Sequence, residues 1–206
     1  MLKKIIGIGV LLIMGMGMGL FSACTPKDKG ISDGFYGMET DPGVSVPYYF
    51  TAYKSDKTIF DLDKDEITLE FFYGISAGAS GLGYIQNAEN WEHYKDVKIR
   101  LYFFSNEFYP DSHGHEQYFI KEIEDFYNGQ YDCGYTNKKF VFDHSESIAI
   151  PNELFVGEQG SISFSLAEYY TPENEEHGVW RGIGIYYKVK DNKVTLQTYS
   201  QYITEN

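Results

Sequence analysis

From about residue 46 onward the chain alternates apolar and polar positions at period two, and the apolar positions are mostly aromatic or β-branched. That is the pattern of strands with one face on a core. The predicted strands are VPYYFTAYK (46–54), ITLEFFYG (67–74), VKIRLYFF (97–104), KFVF (139–142), SIAI (147–150), SISFSLAEYY (161–170), GIGIYYKVK (182–190) and KVTLQTYS (193–200). In VKIRLYFF, Val97, Ile99, Leu101 and Phe103 share one face, with Lys98 and Arg100 on the other. Asp191 and Asn192 separate the last two strands, a two-residue turn of the kind tight antiparallel hairpins prefer. Short strands at this spacing predict an all-β chain: one antiparallel β-sandwich over 46–206, immunoglobulin-like, with at most one short helix. The immunoglobulin-like label rests on strand count and spacing, because the Cys, Trp and Cys marks of true immunoglobulin domains are missing.

Two segments depart from the alternation. EQYFIKEIEDFYNGQ (116–130) sets Phe119, Ile123, Phe126 and Tyr127 at helical spacing, with Asn128-Gly129 as a helix stop. Its neighbours are strands, so a strand or strand-crossing loop is expected there. NELF, after Pro151, is expected to form a single helical turn.

The first residues follow a different pattern. Lys3 and Lys4 precede an uncharged apolar run, Ile5 to Leu20, which ends in the small pair Ser22 and Ala23. Basic, then apolar, then small is the layout of a secretory signal. The run is also close to the shortest membrane spans, of roughly 17 residues, so its length does not decide between a cleaved signal and a retained anchor. The stretch FSAC, ending at Cys24, resembles the lipobox of bacterial lipoproteins, with Phe21 where that family prefers Leu. The resemblance covers residues 1–24. It implies removal of residues 1–23 as a signal peptide, a diacylglycerol on the Cys24 thiol, and attachment to the lipid bilayer of a cell membrane or outer membrane. Two or three acyl chains give stable anchoring where one gives marginal binding.

Residues 24–45 are expected to be a flexible tether, rich in Gly, Pro, Asp and Lys and without sustained apolar periodicity. Phe35, Tyr36 and Met38 are the residues within it that could dock on the folded part.

Charge narrows the range of partners. The chain carries a formal net charge of −13, and loss of Lys3 and Lys4 with the signal takes it two units lower. Such a surface repels nucleic acid and anionic headgroups and favours cations or basic partners. Cys133 is the only cysteine besides Cys24, so a lipidated chain has no internal disulfide. Its setting, YDCGY, reads as a small buried apolar residue, with no activating base in that stretch.

No motif for catalysis is complete. GISAG (74–78) satisfies G-x-S-x-G around Ser76, but a glycine-rich loop follows and no βαβ alternation supports a nucleophile elbow. FDLDKDE (60–66) places Asp61, Asp63 and Asp65 at alternate positions, as a calcium loop would. The EF-hand glycine is replaced by Glu66, so a non-EF calcium site at Asp61, Asp63, Asp65 and Glu66 is the metal candidate, beside a solvated turn. In PDSHGHEQ (110–117), His113 and His115, with Asp111 and Glu116, form a second candidate metal set, set against an exposed polar loop. No motif calls for another cofactor. The candidate ligand contacts are Trp91 in NWEHY and Trp180 in GVWRG, both in polar, loop-like surroundings. Clusters such as Tyr102-Phe103-Phe104 and Tyr186-Tyr187 put rings on both faces of their strands, and outward rings can carry protein contacts or sugar stacking. The expected function is a non-catalytic binding or adhesion module on the membrane surface, its envelope protein or glycan partner unidentified. The alternatives are a carbohydrate-binding module with a Tyr and Trp platform, and a small hydrolase.

Overall fold

The computed structural model of the chain describes residues 35–40, 49–76, 81–105, 117–137, 139–169 and 180–204. Cys24, His113, His115 and the predicted signal lie outside the described residues. The period-two segments form two six-stranded sheets. The first contains β1 (Gly37–Thr40), β2 (Tyr49–Lys54), β4 (Ile67–Ser76), β7 (Asp132–Thr136) and β8 (Lys139–Phe142) in that order, with β9 (Ser145–Ile150) also paired to β4. In the second, the order is β3 (Ile59–Asp61), β12 (Lys193–Gln197), β11 (Trp180–Lys190), β10 (Gln159–Tyr169), β5 (Lys98–Ser105) and β6 (Gln117–Ile123).

The sheets pack through the residues that the alternation assigns to one face. Ile67, Leu69, Phe71, Tyr73 and Ile75 of β4 are buried, as are Ile99, Leu101 and Phe103 of β5 and Ile162, Phe164 and Leu166 of β10. The centre is aromatic: Phe71 stacks on Phe164 with ring centroids 4.3 Å apart, and Phe103 lies 5.6 Å from Phe71. Burying each such side chain contributes roughly 1.5–3 kcal/mol, which makes this double layer the main source of stability. The all-β sandwich read from the sequence is therefore the fold.

Pairing is antiparallel throughout except where β7 meets the end of β4, Ile75 opposite Asp132 and Ser76 opposite Cys133. Gly74 permits this contact, since a Cβ there would fall 2.4 Å from the Tyr131 carbonyl oxygen. That oxygen accepts the Ile75 N–H at 2.9 Å. Asp191 and Asn192 take φ values of 50° and 60°, forming the predicted tight turn.

Two features correct the sequence reading. The fold begins before residue 46, because β1 pairs with β2 and the Phe35 ring is 4% exposed, packed edge-on against both Phe72 and Phe142. Tyr36 turns the other way and donates its hydroxyl to the Leu196 carbonyl of the second sheet at 2.8 Å. Three short α-helices occur among the described residues, where at most one is expected: α1 (Leu82–Ile85), α2 (Ala88–Tyr94) and α3 (Tyr199–Thr204). Each is too short to show a helical period, and side-chain caps mark the second and third. The Asn87 side chain accepts the Glu89 N–H at the start of α2, and Thr198 and Gln201 exchange bonds as a capping box before α3. In the ambiguous stretch, β6 is a strand and Asp125 and Gly129 then take positive φ, a turn that returns Phe126 and Tyr127 to the core. The single turn after Pro151 is a 3-10 helix, Asn152–Leu154.

Candidate functional site

The densest polar chemistry lies between the sheets. The Tyr73 hydroxyl donates to Glu146 Oε1 at 2.6 Å and lies 3.0 Å from His144 Nε2, while Lys121 Nζ of β6 donates to Glu146 Oε2 at 2.6 Å. The Tyr131 ring stacks on Tyr73 and lies 4.7 Å from His144. Burial, with Glu146 adding to it, drives the Tyr73 phenol far above its ordinary pKa, and burial holds the His144 imidazole below its own. A phenol that holds its proton, a neutral imidazole and a carboxylate neutralised by lysine make a closed network. It joins the sheets and presents no activated nucleophile.

The other candidates for chemistry are similarly occupied. Burial pushes the Cys133 thiol up, with Asp132 and Asp143 adding to the shift, so it stays protonated. Ser76 is the last residue of β4, in extended pairing with Cys133. In the acidic loop, Asp61 Oδ2 accepts from Lys64 Nζ at 3.0 Å and Asp65 Oδ2 from Lys57 Nζ at 2.5 Å. Asp61 also accepts the Asp63 N–H, and Asp65 the Asp61 N–H, so these carboxylates close a turn. Their lysine partners hold both acids below the ordinary carboxylate range. Among the described residues no group of three or more His, Cys, Asp or Glu is placed to hold a metal ion.

The two tryptophans are not loop residues. Trp91 lies on α2 and is 37% exposed, whereas Trp180 opens β11 opposite Ala167. Several outward rings are roofed over rather than open. Phe35 covers Phe72, and Tyr199 and Tyr202 of α3 pack on Tyr186 at 5.3 and 4.9 Å.

A cavity of about 250 Å³ lies at the end of β2, lined by residues of β2, β4 and β9 of the first sheet and by Phe60 of β3 in the second. Lys54, Asp56, Lys57, Thr68, Glu70 and Ser147 line it with polar side chains. Lys54 and Glu70 are direct cross-strand partners. Opposite charges in that relation attract one another across a strand pair. Here they do not meet. Lys54 Nζ lies 4.8 and 4.7 Å from the centroids of the Phe35 and Phe72 rings, and Glu70 Oε1 accepts the Ser145 hydroxyl at 3.0 Å. Among the described residues neither charge has an ion-pair partner. Both residues line the groove, but the neighbours of their charged ends, Phe35, Phe72 and Ser145, do not.

The chain matches no protein-family model, no curated protein and no solved structure.

Sequence reasoning missed both the groove and the inter-sheet network. Lys54 and Glu70 are sixteen positions apart in the chain, and only the register of β2 on β4 brings them together. Tyr73, Lys121 and Glu146 come from strands whose order was not legible. The available clue was the pair Phe35 and Tyr36, aromatics within a largely polar tether.

Proposed function

We propose that the protein is an exported, lipid-anchored binding module of a bacterial envelope, held to the bilayer through Cys24 and acting without catalysis. The groove supports this reading, since it brings Lys54, Asp56, Lys57 and Glu70 to one surface depression, whereas Tyr73, His144, Lys121 and Glu146 bond to one another between the sheets and leave no activated nucleophile among them. The FSAC stretch supports the anchor.

The test is thermal unfolding of the full chain, purified in detergent, with and without fractionated envelope extract. A ligand at a hundred times its dissociation constant adds about 2.7 kcal/mol, a shift of several degrees for a chain of this size. The expected result is a raised melting temperature and a ligand recovered chemically unchanged. Recovery of a converted ligand would overturn the non-catalytic reading. Incorporation of labelled palmitate, lost in Cys24→Ala, tests the anchor.

A second reading, a carbohydrate-binding module, rests on the exposed Trp91 ring. Retention on immobilised glycans that survives Trp91→Ala would remove it.

A further inference from the structure

We infer that Asn128 is a self-modification site: its side-chain amide cyclises on the next main-chain nitrogen, and the chain converts there, with age, to an isoaspartyl linkage that loosens the turn.

Asn128-Gly129 is the one Asn-Gly pair in the sequence. It lies in the turn after β6, where Asn128 is exposed and Gly129 takes a φ of 95°. In turns, asparagine folds its side chain back onto the main chain two residues on. Here Asn128 Oδ1 accepts the Gln130 N–H at 2.9 Å. The ring closed by that bond contains both the amide carbon Cγ and the Gly129 nitrogen, so the attacked and attacking atoms are held in one small loop. The same Gln130 N–H points at the oxygen on which negative charge develops as Cγ is attacked, the role of an oxyanion donor. Among the described residues no acceptor takes the Gly129 N–H, so water can take its proton. A Cβ built on Gly129 would meet nothing within 4 Å, so no neighbour crowds the nitrogen.

The bond changes are few. The Gly129 nitrogen bonds to Cγ, the Cγ–Nδ2 bond breaks, and ammonia leaves with the Gly129 proton, delivered through water; a succinimide remains. A water molecule then opens the ring. Attack at Cγ gives aspartate, and attack at the main-chain carbonyl gives isoaspartate, whose backbone runs through the side chain and is longer by a methylene. Both ends of the turn are fixed. On one side Tyr127 bonds through its hydroxyl to Tyr49 at 2.8 Å and through its carbonyl to Gln86 Nε2 at 2.9 Å. On the other, the Tyr131 carbonyl accepts the Ile75 N–H at 2.9 Å and the Tyr131 ring stacks on Phe126. Only residues 128–130 lie between these anchors, so an added backbone carbon displaces one of them.

The experiment incubates the full chain in detergent in mildly alkaline buffer, native and unfolded in guanidinium chloride, and reads isoaspartate by enzymatic methylation and peptide mass mapping. Isoaspartate is expected at position 128, formed in the native chain at no less than a tenth of its rate in the unfolded chain. Greater protection by the fold, or isoaspartate at other positions alone, would overturn the inference. Asn128→Ser keeps an oxygen at the turn but has no amide, so it is expected to form none there. The aged parent is expected to melt several degrees below the fresh parent. Fresh Asn128→Asp, which carries the new charge on a backbone of ordinary length, is expected to melt close to the fresh parent. An aged parent that melts unchanged would overturn the loosening of the turn. An equal loss in fresh Asn128→Asp, or in aged Asn128→Ser, would do the same.

Discussion

Lys121 Nζ and Glu146 Oε2 lie 2.6 Å apart and belong to different sheets. The pair joins β6, an edge strand of the second sheet, to β9, which in the first sheet is paired to β4 alone. Glu146 also accepts a hydrogen bond from the buried Tyr73 hydroxyl, so one carboxylate serves a lysine at the rim and a phenol in the core.

Removing the two partners should therefore have unequal effects. Lys121 is 36% exposed and solvent screens its charge, so Lys121→Met should cost about 0.5–1 kcal/mol. Glu146→Gln also weakens a charge-assisted bond from a buried phenol and should cost about 1.5–3 kcal/mol. Urea unfolding measures both. Equal, small losses would show that the Tyr73 bond contributes nothing.

The same network makes stability depend on pH. Burial, with Lys121 assisting and Glu146 opposing, holds folded His144 below its unfolded value of about 6.5. As pH falls, the unfolded state takes up the proton first, so stability declines from about pH 6.5 down through the folded pKa. Asp61, Asp65 and Glu122 are lowered too, but they act below the unfolded carboxylate range of about 4 and so outside this window. His144→Gln should reduce the fall in melting temperature between pH 7 and pH 5. An identical slope in the variant would assign that fall to other groups.

Thiol counting checks burial and lipidation together. Cys133 is buried with its pKa raised, so the native full chain should not react with a thiol reagent within minutes. Denatured protein from the native host should show one thiol if Cys24 carries lipid. Two thiols would contradict the proposed anchor.

Phe35→Ala tests the early start of the fold. The ring is buried against Phe72 and Phe142 beneath Lys54, and its loss should cost about 3 kcal/mol. If the change were neutral, the N-terminal segment would not belong to the domain.

What the sequence disclosed was the part governed by period two. Val97, Ile99, Leu101 and Phe103 are all buried as the alternation assigns them, and KFVF is strand β8 residue for residue. Elements set by tertiary pairing were hidden. Strand β3 has three residues and pairs only with β12, and β7 holds Gly134 within a run that scarcely alternates. Helix α3 did leave a trace in Thr198 and Gln201, but the strand pattern before them concealed it. The groove was not legible, because its key relation, Lys54 opposite Glu70, is one of register rather than of composition.

The docking of Phe35 also sets a leash. With a lipid on Cys24, only the ten residues from Thr25 to Gly34 separate the anchor from the fold, and fully stretched they reach about 35 Å. The sandwich would ride close to its membrane, within a few headgroup depths. A tug on such an anchor would arrive first at Phe35, so its packing on Phe72 and Phe142 would be the point where mechanical load enters the fold.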